Sequence, residues 1–170
     1  LHLSLRRQRQ MCIRDSFTFV CPSELIALDH RMADFKARNV EVIAVSIDSH
    51  FTHNAWRNTP INAGGIGQVQ YIMAADMKHD IAKAYDVESE GGVAFRGAFL
   101  IDDKGVVRSQ IVNDLPLGRN MEELIRLVDA LQFHEEHGEV CPANWKKGDK
   151  GMTASPEGVA AYLSENAGKL

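Results

Sequence analysis

Apolar residues recur at Leu25, Leu28, Met32 and Phe35, the spacing of one helical face. Pro22 stands just ahead of that stripe and suits the first helical position, where a missing N–H costs nothing. The pattern predicts a helix whose N-terminus falls at Cys21. Val40 to Ile47 is β-branched and mostly apolar, as in a buried parallel strand. Asp48-Ser49 is a helix-start signal for a short segment through Trp56, stopped by Pro60. Asn62 to Gly67 forms a glycine loop, Tyr71 to Ala75 a second strand, and His79 to Tyr85 a short helix. Ala98 to Ile101 and Val106 to Val112 flank Asp102-Asp103-Lys104-Gly105, a hairpin turn with glycine last. Asn120 caps a further helix, with Glu123 as capping-box partner and Leu124, Leu127, Val128 and Leu131 as its apolar face. From Val140 the chain is polar and rich in Gly and Lys until a last helix from Pro156 to about Ala167. That tail buries little by itself and is expected to pack on a partner subunit or the active-site edge. The order helix, strand, helix, strand, helix, hairpin, helix defines an α/β layer fold.

Composition narrows the function classes. A chain of 170 residues is one domain by length and can enclose a sizeable core. Its net charge of −4 argues against a nucleic-acid or anionic-membrane surface. No apolar run approaches the roughly 20 residues of a membrane span. Three cysteines do not make a secreted disulfide framework; they fit a reducing compartment such as the cytoplasm, with any disulfide transient and catalytic. The absence of C-x-x-C excludes a dithiol within one helix turn.

Cys21 is the strongest chemical candidate. A thiol at a helix N-terminus meets unpaired N–H groups and the positive end of the dipole, which favour the nucleophilic thiolate. A small buried hydrophobe is the alternative reading of the same residue. His134, His137 and Cys141 have a spacing compatible with metal binding at a helix end, but no fourth ligand accompanies them. Gly64, Gly65 and Gly67 lack the following Lys-Ser/Thr of a phosphate loop.

The octapeptide FTFVCPSE resembles the peroxidatic-cysteine motif of the typical two-cysteine peroxiredoxins. The resemblance continues in order through VEVIAVSIDSHFTHNAWRNTP, INAGGIGQVQY, FRGAFLIDDKGVVRSQIVNDLPLGRN and HGEVCPANWKKG, covering about residues 17 to 170. It implies a thioredoxin-like α/β fold, a mixed sheet flanked by helices, with a peroxidase domain over residues 17–138 and a tail over 139–170. It implies a thiol-dependent peroxidase acting on hydrogen peroxide and alkyl hydroperoxides, with sulfur as the redox centre and no cofactor or metal. Cys21 is then the attacking sulfur, and Thr18, in the family pattern T-x-x-C, bonds the bound peroxide. Arg96 stabilises thiolate and peroxide, and Glu24 orients Arg96 and Arg119. Cys141 is the resolving cysteine, reaching Cys21 of the other subunit. The implied partners are a thioredoxin-like reductant and a second copy in a homodimer, assembling into a decameric ring. Family members sensitive to overoxidation pair the glycine loop with Tyr-Phe in the last helix. Here Gly64-Gly65-Ile66-Gly67 is present but Tyr162-Leu163 departs from that pair. His50, His53 and Trp56 read as packing and surface residues.

Residues 1–16, LHLSLRRQRQMCIRDS, are basic, lack strand periodicity and do not resemble the family. Arg14 stands where the family motif begins with proline. The expectation is a foreign or disordered segment joined to a domain that lacks its opening strands, and Cys12 carries no role. The rival functional readings are a chaperone or redox-signalling scaffold, and an inactive truncated fragment.

Overall fold

A computed structural model describes residues 8–13 and 20–170, with side chains from Val20 onward. The chain divides into two units, Leu1–Met121 and Glu122–Leu170.

The first unit is built on a five-stranded sheet of order β3-β2-β1-β4-β5. Its strands are β1 (Gln8–Ile13), β2 (Val40–Ser46), β3 (Ile72–Ala75), β4 (Arg96–Ile101) and β5 (Val107–Asn113). Helices α1 (Cys21–His30) and α2 (Met32–Ala37) lie between β1 and β2, α3 (His50–Asn58) between β2 and β3, and α4 (Asp80–Ala84) between β3 and β4. The β1, β2 and β3 strands run parallel, while β1–β4 and β4–β5 are antiparallel.

One sequence expectation is corrected here. Residues 8–13 carry no strand periodicity, yet they form the central strand. Gln8–Ile13 pairs residue by residue with Val40–Val45 on one side, and Arg9–Ile13 with Ile101–Gly97 on the other. The reason lies in the neighbours. Both β2 and β4 are buried strands that need hydrogen-bond partners on their inner edges, and a central backbone can supply them without an alternating pattern of its own.

Helices α1 and α2 share the predicted stripe, with Leu25, Leu28, Met32 and Phe35 all buried. They are two helices because Arg31 leaves helical geometry at φ −100°, ψ 4°. Along β2, Val40, Val42 and Ala44 point to one face, on which α2 packs, as period-two alternation dictates. Val45 points to the other, into a cluster with Ala82, Val87, Ala94, Phe99 and Ile101. Ser49 caps α3 by accepting from Thr52 N at 3.1 Å. The β4–β5 turn is pinned by Asp102, whose Oδ1 accepts from the N–H groups of Lys104 and Val106, both at 2.9 Å. Gly105 completes it at φ +82°, where a side chain is strained.

The second unit holds most of α5 (Met121–His137), a segment closed by the bridge between Val140 and Met152, and α6 (Pro156–Asn166). Leu124, Val128 and Leu131 of α5 are buried as expected, together with Ile125. Ser155 caps α6 through Gly158 N at 3.0 Å, and α6 buries none of its residues.

Candidate active site

Cys21 is the first residue of α1, with Pro22 behind it in the opening turn. Ser23 Oγ donates to the Val20 carbonyl at 2.6 Å, closing the chain where it enters the helix. Glu24 lies one turn on, so its carboxylate and the Cys21 sulfur share the first-turn face. Both are buried, at 4 % and 0 % exposure.

Arg96 approaches from the start of β4 and is 1 % exposed. Its Nη1 donates to Cys21 Sγ at 3.3 Å and to Glu24 Oε2 at 2.5 Å. Its Nε donates to the Leu115 carbonyl at 2.7 Å, which fixes the plane of the guanidinium. Arg119 comes from the loop after β5. Its backbone N and Nε both donate to Glu24 Oε1, at 2.7 and 2.9 Å, and its Nη2 to Oε2 at 3.2 Å. Arg119 Nη1 is held by the Gly97 carbonyl at 2.5 Å. Asn113 braces this loop, donating to the Leu117 and Gly118 carbonyls at 3.2 and 3.3 Å.

Glu24 thus accepts four hydrogen bonds from two arginines. Burial pushes its carboxyl up, but the hydrogen bonds and charge of Arg119 and the charge of Arg96 outweigh that, leaving it below the usual carboxylate range. One carboxylate against two guanidiniums leaves one positive charge in excess, and the Arg96 end of the cluster faces the sulfur. The cluster is buried and closely hydrogen-bonded, the condition under which fixed donors act most strongly on developing charge.

The structure therefore brings Cys21, Glu24, Arg96 and Arg119 together. Thr18 lies outside the described residues. Cys141 belongs to the second unit, where its thiol donates to the Ala130 carbonyl at 3.4 Å. Burial pushes the Cys141 thiol up, partly offset by the Arg126 charge. Among the described residues Cys21 and Cys141 are not joined by a disulfide. His134 Nδ1 meets the Glu139 carbonyl and His137 Nδ1 the Phe133 carbonyl, so these rings and Cys141 are turned to separate backbone partners. Among the described residues no three His, Cys, Asp or Glu side chains are grouped to hold a metal ion.

The glycine loop packs on α3. Trp56 Nε1 donates to the Gly64 carbonyl at 2.9 Å, and a Cβ on Gly65 would stand 1.8 Å from the Thr59 carbonyl oxygen. His53 is buried, with Nε2 2.6 Å from Ser46 Oγ. Burial pushes its imidazole below the usual value, against the pull of Asp48 and with the push of His50.

Sequence reasoning missed the groups that hold α1 in place. Tyr71 donates from its hydroxyl to the Leu25 carbonyl at 2.9 Å, and Asp29 accepts from Gln70 N at 2.7 Å. It also missed the carbonyls of Leu115 and Gly97. Tyr71 had a usable signal, a phenol at the start of a predicted apolar strand that needs a partner once buried; the carbonyls had none.

Comparison with known proteins identifies the family. The AhpC/TSA family model matches residues 11–110, and a model of the C-terminal domain of 1-Cys peroxiredoxin matches residues 130–165. The chain belongs to the AhpC/TSA family: it is a peroxiredoxin with a thioredoxin fold, a peroxidase that works through thiols. It is 58 % identical over 154 residues to an alkyl hydroperoxide reductase C of Helicobacter pylori, covering 91 % of this chain and 78 % of that one. It is 55 % identical over 150 residues to the protein of the same name from Buchnera aphidicola, covering 88 % and 76 %. The reduced 2-Cys peroxiredoxin of Plasmodium vivax superposes with a TM-score of 0.91 at 45 % identity, covering 93 % of this chain and 82 % of that one.

Proposed function

We propose that this peroxidase works by a two-cysteine cycle on hydrogen peroxide and alkyl hydroperoxides. The Cys21 thiolate attacks the terminal oxygen of R–O–O–H. A sulfur–oxygen bond forms, the O–O bond breaks, and the alkoxide or hydroxide leaves with a proton as alcohol or water. Arg96 is the donor to the reacting oxygens and the cation beside the sulfur. Glu24 and Arg119 act through Arg96 by fixing its place. Thr18, three residues before Cys21, supplies a hydroxyl to the bound peroxide. The resulting Cys21 sulfenic acid condenses with the Cys141 thiol of a second copy. A sulfur–sulfur bond replaces the sulfur–oxygen bond and water departs. A thioredoxin-like dithiol then reduces the disulfide.

The observation that carries this reading is the single Arg96 nitrogen that meets both Cys21 Sγ and Glu24. A solvated strand-edge arginine makes no such bridge. A homodimer closing into a decameric ring fits the surface left open: Phe51 is 74 % exposed, β5 is a sheet edge with Val107 and Val112 exposed, and α6 buries nothing. A disulfide that forms only during turnover fits the cytoplasm. Among the described residues no helix is long and apolar enough to cross a membrane.

Peroxide consumption with thioredoxin and its reductase, read beside a non-reducing gel, tests the cycle. Cys21→Ser is expected to abolish turnover. Cys141→Ser should keep one peroxide equivalent per chain but lose the dimer-sized band. A dimer band that persists in Cys141→Ser would overturn the assignment of the resolving thiol.

A further inference from the structure

Cys141 does not stand free. The stretch around it is a small closed body on α5, with Trp145 as its plug. Trp145 is 3 % exposed and packs on Phe133, ring centroids 5.0 Å apart. Its indole N–H donates to the Asp149 carbonyl at 3.1 Å, and Lys146 N donates to Asp149 Oδ2 at 2.8 Å. Arg126 ties this body to the helix. Its Nη1 donates to the Trp145 carbonyl at 3.1 Å. Its Nε and Nη2 fork onto Glu123, at 2.6 and 2.7 Å, so the guanidinium is held in one plane. Ala130, whose carbonyl receives the Cys141 thiol, is four residues from Arg126 and therefore on the same helical face.

We infer that Arg126 is a positioning residue for Cys141, closing the thiol-bearing segment on α5 and keeping a cation on the helical face that its thiol meets, so that it sets the rate of disulfide closure and not the rate of peroxide reduction. The inference rests on Cys141 being the resolving thiol. To condense with a sulfenic acid, the sulfur must leave the Ala130 carbonyl and its proton must be lost. Arg126 opposes the first requirement through the Trp145 carbonyl and assists the second through its charge. Three other charged or titratable groups of this body have partners of their own. Lys147 sits on Asp129 at 3.3 Å, Glu123 takes the Arg126 fork, and His134 meets the Glu139 carbonyl. The Glu139 carboxylate, two residues before Cys141 in the chain, lies beside Gly151 in the space a side chain there would need.

The two effects separate in a pH profile of disulfide closure, measured by rapid quench on the full chain after one equivalent of peroxide. Arg126→Gln is expected to raise the high-pH plateau about three- to tenfold, because a charged hydrogen bond no longer holds the segment. It should also shift the midpoint to higher pH, because the cation is gone. Arg126→Lys should return the midpoint toward the parent value while leaving the plateau fast, since an ammonium keeps the charge but not the planar fork. Glu123→Gln opens the fork and leaves the cation less neutralised, so its midpoint should move to lower pH. In all three the rate of Cys21 oxidation should stay at the parental value. Parental plateau and midpoint in Arg126→Gln would overturn the inference. Midpoints moving the same way in Arg126→Gln and Glu123→Gln would overturn it also. A parent chain whose Cys21 is oxidised without ever joining Cys141 would remove the two-cysteine reading itself, and this inference with it.

Discussion

The Cys21 end of α1 and the Cys141 segment of the second unit each hold one thiol, by different means. Cys21 is fully buried and receives a hydrogen bond from a guanidinium whose other bonds are to a carboxylate and a carbonyl. Cys141 is half-buried, and its thiol is the donor, to a helix carbonyl. Donors aimed at a sulfur suit the anion that attacks; an acceptor aimed at a sulfur suits a thiol at rest. The first region is preorganised by charge and is rigid because four hydrogen bonds converge on Glu24. The second is held by one tryptophan and a few clasps, which suits the proposed role of Cys141 as a thiol that moves to its partner.

Removing the charge from the first region breaks the comparison most. Arg96→Met deletes the donor to the sulfur while Arg119 keeps three of the four bonds to Glu24. The remaining carboxylate and guanidinium are matched in charge, so folding should survive with a loss of about 1–3 kcal/mol for the broken bonds. The rate of peroxide reduction should fall about 10²–10³-fold, the usual consequence of losing one preorganised donor to developing negative charge. Competition against a peroxidase of known rate measures the second quantity, and urea unfolding the first. A variant that unfolds but keeps its specific rate per folded molecule would make Arg96 a structural group only.

The contrast between regions also marks what the sequence made legible. The α1 stripe, the β4–β5 turn and the Cys21 position at a helix start follow from local spacing and from Pro22 and Gly105. Arg96 and Arg119 do not. Their partners lie 72 and 95 residues away, and an arginine at the head of a strand looks the same in sequence whether buried or solvated. Only the resemblance of the surrounding motifs singled them out. The central strand was illegible for a different reason, since β1 is specified by β2 and β4 and not by its own alternation. The break at Arg31 was hidden because the stripe runs on unchanged through it.

Acid and alkali should separate the regions next, with a smaller effect. Glu24 has its folded pKa below the ordinary 4.5, so its contribution is complete above that value and is lost as pH falls through the folded one. His53, lowered from 6.5 mainly by burial, adds a loss that begins earlier, as pH drops below 6.5 and the unfolded chain takes a proton that the buried ring resists. Both belong to the first unit; Glu123 of the second is also held low by the Arg126 fork, but it is partly exposed and adds little in acid. Cys141 has the opposite sign: its thiol is raised above 9.0, so its contribution is complete below 9.0 and fades as pH climbs through the folded value. Hydrogen exchange read by segment should therefore show α1 and α3 losing protection first in acid, and residues 139–152 first in alkali. A single uniform transition at both extremes would mean that the two thiols do not sit in separately stabilised regions.

Lys147→Ala should change least. Lys147 and Arg126 both tie the Cys141 segment to α5, but the lysine side chain is 68 % exposed and reaches Asp129 on a flexible stem at 3.3 Å. Exposed pairs of this kind contribute about 0–1 kcal/mol, and Trp145 with its Phe133 contact remains untouched. The expected loss in urea unfolding is thus under about 1 kcal/mol, with disulfide closure within about twofold of the parent rate. A larger loss, or a closure rate matching that of Arg126→Gln, would show that exposed charge rather than the buried tryptophan keeps this segment closed. The Cys141 region would then be held by the same kind of force as the Cys21 site, only weaker for being wet.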